Sequence, residues 1–175
     1  MVQQVTERLI IRPFTESDFD DLTALIRDKM ASEYAHTDAQ WPTDDASMLN
    51  VLKFFIGEKP WSWCAVELKG TGHVIGFVCA GIADSDDTRG LGYTIRSDHR
   101  GNGYACEACR ALITHCRNAL GARRFLTGTA DCNGPSVRLL QKLGFVKIES
   151  TEESFTEDAD GKPVTFAAGK YELTV

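Results

Sequence analysis

Two spacings of apolar residues alternate along the chain and predict a mixture of strands and amphipathic helices. Short apolar runs typical of strands cover 8–14, 61–68, 73–83, 90–96, 124–129, 145–149 and 166–175. Helical spacing follows four start signals, at Thr15-Glu16-Ser17-Asp18, near Asp44, at Ala105, and at Asn133-Gly134-Pro135-Ser136. The predicted order is βααβββαβαββ. It describes a mixed α/β (α+β) fold with about seven mostly antiparallel strands and helices on both faces of the sheet.

The segments between these elements predict the connections. Lys69-Gly70-Thr71-Gly72 is typical of a hairpin turn between the second and third strands. The acidic segment 152–163 predicts an exposed turn between the last two strands. The stretch 31–45 predicts a loop that carries Tyr34, His36 and Trp41. With 175 residues, no repeat and no linker, the chain is expected to form a single domain over residues 1–175.

One junction between a strand and a helix carries a chemical signal. Arg100-Gly101-Asn102-Gly103-Tyr104-Ala105 follows the strand 90–96 and opens the third helix. The first amides of a helix have no partner within the helix, and the helix dipole favours an anion beside them. Glycine lets the backbone approach such an anion closely. The sequence therefore predicts a phosphate or pyrophosphate site at residues 101–105.

Two other classes of glycine loop fit less well. A dinucleotide-binding loop of the Rossmann type has a third glycine, where this chain has Cys106, and an acidic residue about 20 positions later, where it has Gly121-Ala122-Arg123. A nucleotide-binding P-loop has Gly-Lys-Ser/Thr after its glycines, and this loop lacks that sequence. A dehydrogenase and a P-loop kinase are therefore both disfavoured.

Composition limits the partners. The net charge of −6 and the lack of a Lys/Arg cluster disfavour nucleic-acid binding. No apolar run of about 18 residues predicts a membrane span, and the start of the chain does not resemble a signal peptide, so a cytoplasmic location is expected. Cys106 and Cys109 form a C-x-x-C, which is either a redox or metal pair or a pair of small packing side chains. No second such pair supports a metal site, and none is expected.

Several motifs together resemble one family. Arg100–Ala105 fits the [QR]-x-x-G-x-[GA] loop of the GNAT acyl-CoA N-acyltransferases. Four further segments resemble the RimJ/RimL-like branch, whose members acetylate ribosomal proteins: Thr6-Glu7-Arg8-Leu9-x-x-Arg12-Pro13-Phe14, Lys69-x-Thr71-Gly72-x-x-Ile75-Gly76, Leu91-Gly92-Tyr93-x-Ile95, and Asn133-x-x-Ser136-x-Arg138-Leu139-Leu140-x-Lys142-Leu143-Gly144-Phe145. The similarity runs from about residue 6 to residue 149.

The resemblance implies an acetyl-CoA-dependent N-acetyltransferase, monomeric or homodimeric. Acetyl-CoA, the cosubstrate, would bind where the strands 90–96 and 124–129 separate, with its pantetheine arm along the first strand and its pyrophosphate on the glycine loop. The implied cofactor-binding residues are Ile95, Arg100, Gly101, Asn102, Gly103, Tyr104, Ala105 and Asn133. Ser136 is implied as the proton donor to the leaving thiolate. Asn133 and Ser136 are equally suited to helix capping.

The chain departs from the family at two acid/base positions. Leu140 stands where many members have a catalytic tyrosine, and Gly90 stands where the RimJ/RimL-like branch often has a glutamate. The remaining candidates for a general base are Glu67, Asp84 and His36. The departures leave open a second function, a non-catalytic module that binds acyl-CoA.

The acceptor is expected to be a primary amine that attacks the thioester directly in a ternary complex. An α-amine has a pKa of about 7.7–8.0, whereas a lysine amine lies near 10.4. Missing acid/base groups therefore favour a peptide N-terminus or a small-molecule amine over lysine. The acceptor site is expected between 34–41, the hairpin near Trp61 and Trp63, and the last strands. The tryptophans are also suited to core packing.

Overall fold

The structure is a computed structural model that describes residues 3–57 and 61–175. Its strands are β1 (Gln4–Val5), β2 (Leu9–Pro13), β3 (Trp61–Leu68), β4 (Val74–Ile82), β5 (Thr88–Ile95), β6 (Arg124–Ala130), β7 (Val146–Glu157) and β8 (Pro163–Thr174). Its helices are α1 (Phe19–Met30), α2 (Asp45–Ile56), α3 (Tyr104–Leu120) and α4 (Gly134–Leu143). The predicted order is confirmed, and the two-residue strand β1 is an addition to it.

The strands form one sheet in the order β1-β2-β3-β4-β5-β6-β8-β7. Among the described strands, β5 and β6 are the one parallel pair, and every other neighbouring pair is antiparallel. The pairing of β5 with β6 covers three residues, from Thr88 opposite Arg124 to Gly90 opposite Leu126. Beyond that point the two strands separate, as expected from the resemblance, and a cleft opens in the middle of the sheet.

Helices cover both faces of the sheet, as predicted. On one face, α1 and α2 pack their apolar sides onto β3 and β4 around Leu22, Met48 and Phe77. On the other face, α3 and α4 cover the centre of the sheet around Leu112 and Leu140. Because both helical layers hold the sheet, the separation of β5 and β6 lies in a rigid frame.

Local capping explains where the helices begin. Asp44 accepts a hydrogen bond from Ser47 N (2.9 Å) and starts α2. Thr15 and Asp18 form a capping box before α1, as the sequence predicted. Asp18 also receives two hydrogen bonds from the Arg12 guanidinium, each 2.8 Å long, and so joins β2 to α1. The other side of that guanidinium contacts Glu67 Oε2 at 2.6 Å.

The prediction for the acidic segment 152–163 is wrong. Residues up to Glu157 continue β7, and the turn is confined to residues 158–162. The strand persists because the backbone of β7 pairs with β8 from Val146 to Glu157, and Thr151, Glu153 and Phe155 line the cleft. Within the described residues, no helix has both the length and the apolar character needed to cross a membrane.

Candidate active site

The cleft between β5 and β6 has a volume of about 1040 Å³, the upper end of the range of ligand pockets. The glycine loop lies at one end of it, together with Arg100 and the first turn of α3. The N-terminus of α4 forms its middle. The loop 34–38 and the hairpin of β7 and β8 form the other end. The cleft thus connects a predicted anion site to a separate chamber.

Two glycines shape the anion end. Gly101 (φ +79°) and Gly103 (φ +81°) both adopt left-handed backbone, where a side chain is strained. The first hydrogen bond of α3 runs from Glu107 N to Gly103 O (3.1 Å). The amides of Tyr104, Ala105 and Cys106 therefore precede the helical ladder and remain available to an anion.

An ion pair behind the loop holds it in place. Arg8 Nε donates to Glu107 Oε2 (2.7 Å), and Arg8 Nη1 donates to Asn102 O (2.8 Å). The guanidinium also lies 4.7 Å above the Tyr104 ring. Asn102 itself is not part of the cleft wall, and its side-chain amide donates back to the carbonyl of Arg100 (3.2 Å). For Asn102, only the main chain remains suited to the predicted role.

The free edge of β5 forms one wall of the cleft. Arg96 N donates to Ile75 O of β4 (2.9 Å). Because hydrogen-bonding directions alternate along an antiparallel strand, the main-chain groups of Tyr93 and Ile95 point away from β4, toward the cleft. Arg100 Nε already donates to Ile95 O (3.0 Å), and its Nη2 lies 3.8 Å from Asp28. Arg100 therefore closes the end of this edge and remains 42% exposed beside the anion site.

The N-terminus of α4 places two predicted residues in the cleft. Asn133 caps the helix by accepting a hydrogen bond from Ser136 N (3.2 Å), so its side chain has the structural role that the sequence left open. The Ser136 hydroxyl lies 2.7 Å from the Tyr93 hydroxyl of β5. Ser136 therefore bridges the two sides of the cleft where the strands have separated.

Tyr93 was not among the predicted site residues. Burial raises the pKa of its phenol, and the hydrogen bond with Ser136 opposes that rise only in part. The group is therefore neutral at physiological pH. The motif Leu91-Gly92-Tyr93 marked the residue, but no local pattern reveals a contact with a helix that begins 41 residues later.

The proposed acid/base candidates occupy very different places. Leu140 is fully buried in the core and has no proton to give. Glu67 is held by Arg12 outside the cleft. His36 is exposed, with its ring 6.4 Å from Phe166, and it does not line the cleft. Asp84 does line the cleft, 3.9 Å from Arg124.

The far chamber combines carboxylates with aromatic rings. Lys170 pairs with Glu149 at 2.9 Å, and Glu149 together with the nearby Glu153 raises the pKa of the ammonium group. Glu153 is half-buried and has no ion-pair partner among the residues that the structure describes. It lies opposite Phe166, whose ring stacks on Phe155 at 6.0 Å between centroids. The chamber is suited to a cation beside an apolar group.

The tryptophans do not build this chamber. Trp63 stacks on Phe55 (4.3 Å) and meets Trp41 edge to face (5.9 Å), in the cluster under α2 on the other side of the sheet. Of the two interpretations of Trp41 and Trp63, the structure supports core packing, because their rings lie in that cluster and do not line the cleft. The side chain of Trp61 lies outside the described residues.

Cys106 and Cys109 pack in the interior of the protein. Cys109 is fully buried, and burial raises the pKa of its thiol. Cys106 is also buried, at the cleft wall. Within residues 3–57 and 61–175, no three metal-ligating side chains come together. The structure thus supports the interpretation of Cys106 and Cys109 as small apolar side chains.

Comparisons with known proteins agree with this geometry. The family model described as the acetyltransferase (GNAT) domain matches residues 8–146. An uncharacterized N-acetyltransferase, p20 of Bacillus licheniformis, is 30% identical in an alignment of 147 positions that covers 81% of each chain. Among solved structures, a putative ribosomal-protein-serine acetyltransferase from Vibrio cholerae matches with a TM-score of 0.79 and 22% identity, over 99% of this chain and 98% of that one.

A further solved structure contains ligands. The self-immunity acetyltransferase MccE for microcin C7, in complex with acetyl-CoA and AMP, matches with a TM-score of 0.80 and 15% identity. The alignment covers 97% of this chain and 94% of that one. At these identities the solved structures establish the fold of the chain.

Proposed function

Because the chain belongs to the GNAT acetyltransferase family and is an acetyl-CoA-dependent acetyltransferase, we propose that it acetylates a primary amine by direct attack within a ternary complex. One observation carries the proposal. One cleft between β5 and β6 contains the start of α3 with its unpaired amides, the Ser136 hydroxyl, and a far part where Glu153 lies beside the Lys170–Glu149 pair.

The residues of the cleft fit the cosubstrate. The amides of Gly101 to Ala105 suit the pyrophosphate, and Arg100 adds a positive charge beside them. The outward main-chain groups of Tyr93 and Ile95 suit the amides of the pantetheine arm, in the manner of an added strand. Acetyl-CoA, when bound, supplies an activated thioester near Ser136.

The chemistry requires little from the protein beyond positioning. The neutral amine forms the N–C bond, the C–S bond breaks, the nitrogen loses a proton to solvent, and the sulfur leaves as a thiolate. A main-chain N–H on the free edge of β5 stabilises the oxyanion. Ser136 directs a hydrogen bond at the sulfur. No covalent link to the enzyme forms in this scheme.

The acceptor enters between the loop 34–38 and the hairpin of β7 and β8. Glu153 and Asp84 attract the protonated amine from solvent, and Phe155 and Phe166 contact an apolar group beside it. Because Leu140 and Gly90 stand where relatives have acid/base groups, the acceptor is an amine of pKa lower than the value of about 10.4 for lysine, a peptide N-terminus or a small molecule.

A screen of acceptors tests the proposal. The purified protein is incubated with acetyl-CoA and peptides with free N-termini, amino acids, polyamines or aminoglycosides, and the released thiol is measured. We expect turnover with at least one α-amine or small amine, faster than with internal lysines. Initial rates with both substrates varied should give intersecting double-reciprocal lines.

Two results would contradict the proposal. Tight binding of CoA with no turnover on any amine would instead support a non-catalytic acyl-CoA-binding module. Parallel double-reciprocal lines, together with an acetylated protein recovered by mass spectrometry, would exclude direct attack.

A further inference from the structure

The phenol of Tyr93 faces the hydroxyl of Ser136 across the cleft. It reaches across from β5 to Ser136 on α4, 2.7 Å away, at the level where the strands have parted. The rest of the Tyr93 side chain packs against the core that contains Cys109 and Leu140. The contact therefore joins the two walls of the cleft through a ring that cannot easily move.

The direction of this hydrogen bond decides which of the two hydroxyls can donate to a leaving sulfur. A phenol, with an ordinary pKa of about 10, is a stronger donor than an aliphatic hydroxyl. When Tyr93 donates, it occupies a lone pair of Ser136 Oγ, and the hydroxyl hydrogen of Ser136 points elsewhere. Ser136 lines the cleft, so this hydrogen is then free to point into it.

We propose that Tyr93 is a positioning residue that acts through Ser136, fixing the serine hydroxyl as a hydrogen-bond donor to the sulfur of the cosubstrate. The assignment rests on the function proposed above. The amine still forms the N–C bond as the C–S bond breaks, and both hydroxyls keep their own protons.

A full transfer of the phenol proton to the sulfur is unfavourable. Burial of Tyr93 disfavours the phenolate, because the charged form loses solvation, and so raises the pKa of the phenol above its usual value of about 10. The pair therefore stabilises the thiolate by hydrogen bonding and is not consumed as an acid.

Binding of CoA and of desulfo-CoA, which lacks the thiol, tests the assignment without turnover. A hydrogen bond to the sulfur should make CoA bind about 2- to 10-fold more tightly than desulfo-CoA. Calorimetry should show this preference in the unaltered protein, lost in Ser136→Ala and reduced in Tyr93→Phe. Tyr93 also lines the cleft, so the double variant separates two routes: it should match Ser136→Ala when Tyr93 acts only through the serine.

The same four proteins give a kinetic cycle. We expect Tyr93→Phe to lower kcat about 10-fold with little change in the KM for acetyl-CoA, and to have less than a twofold effect when Ser136 is already alanine. Tyr171→Phe is the matched control, since it removes a neighbouring buried phenol away from Ser136 and should change neither quantity. Thermal unfolding identifies any variant that fails to fold. If Tyr93→Phe does not fold, Ser136→Ala, which leaves the Tyr93 ring in place, is used for the comparison of CoA with desulfo-CoA.

The outcomes separate the two claims. If neither CoA nor desulfo-CoA binds the unaltered protein, the proposed function and the role of Tyr93 both fall. If CoA is preferred and turned over but Tyr93→Phe is equally damaging with and without Ser136, only the positioning role of Tyr93 is overturned. An equal loss in Tyr171→Phe would overturn it too.

Discussion

Replacing Gly101 by alanine separates the cost of a strained backbone from the loss of an anion site. Gly101 has φ +79°, and a Cβ built there meets no atom within 4 Å, so the new methyl group causes no clash within the protein. Left-handed backbone costs an alanine about 1–2 kcal/mol. In a chain of this size that cost lowers the Tm by about 2–8 °C. This change in Tm measures the strain in the backbone and is independent of any ligand.

Gly121 is the matched control. It ends α3 with φ +67°, and a Cβ there also meets nothing within 4 Å. Gly121→Ala and Gly101→Ala should therefore lose similar stability in thermal unfolding. Only Gly101→Ala should weaken CoA binding, by about 10- to 100-fold, if the methyl group disrupts charge-assisted hydrogen bonds worth about 1.5–3 kcal/mol. Equal CoA affinities in the two variants, measured by calorimetry, would refute the placement of the diphosphate at this loop.

Three further predictions concern the acceptor chamber, the fold and the thiols. Glu153→Gln should raise the KM for the amine about 5-fold, equivalent to about 1 kcal/mol. Glu152→Gln, on the same strand but outside the cleft, should leave this KM unchanged. Equal effects of the two variants in steady-state assays would exclude a specific contact between Glu153 and the amine. Asp18→Asn should cost about 3 kcal/mol of unfolding free energy at pH 7, measured with denaturant. Burial raises the pKa of Asp18, but hydrogen bonds from Arg12 and Thr15 outweigh burial and hold that pKa below its usual value. The carboxylate therefore stabilises the fold above about pH 4, and this stabilisation is lost as the pH falls through the folded pKa. On acidification Asp18→Asn should lose less stability than the unaltered protein, and parallel curves of stability against pH would contradict this. Of the six cysteines, all within the described residues, Cys132 is exposed and the other five are buried. Cys132 should therefore react rapidly with a thiol reagent, whereas the other five thiols should react only after unfolding. A second thiol that reacts equally fast, mapped by mass spectrometry, would contradict the buried packing.

Local signals predicted the backbone of the glycine loop and the start of α3. The glycines at 101 and 103, with the helix that follows, are contiguous in sequence, and their conformational needs are set by sterics within a few residues. The order of the strands was also predictable, because each strand and helix carries its own apolar spacing. The same reasoning placed Ser136 and Asn133 at a helix start.

Contacts between distant segments were not predictable. Tyr93 and Ser136 are 43 residues apart, and their hydrogen bond depends on how far β5 and β6 separate. Residues 152–157 continue β7, but their acidic side chains gave this segment the composition of a turn, so the sequence did not predict the strand there. Trp63 could have faced either side of the sheet, and only the register of β3 against β4 sends it into the cluster under α2.

Several expectations stay predictions. They include the single domain over residues 1–175, the cytoplasmic location, the lack of nucleic-acid binding and the monomeric or dimeric state.

The measurement closest to the central claim follows backbone amides directly. In an amide NMR spectrum of the ¹⁵N-labelled protein, added CoA should shift the signals of residues 101–105 strongly, together with those at the free edge of β5. Pantetheine, which lacks the diphosphate, should shift the β5 signals and leave the loop largely unchanged. Binding of CoA that leaves the loop amides unmoved would contradict the account.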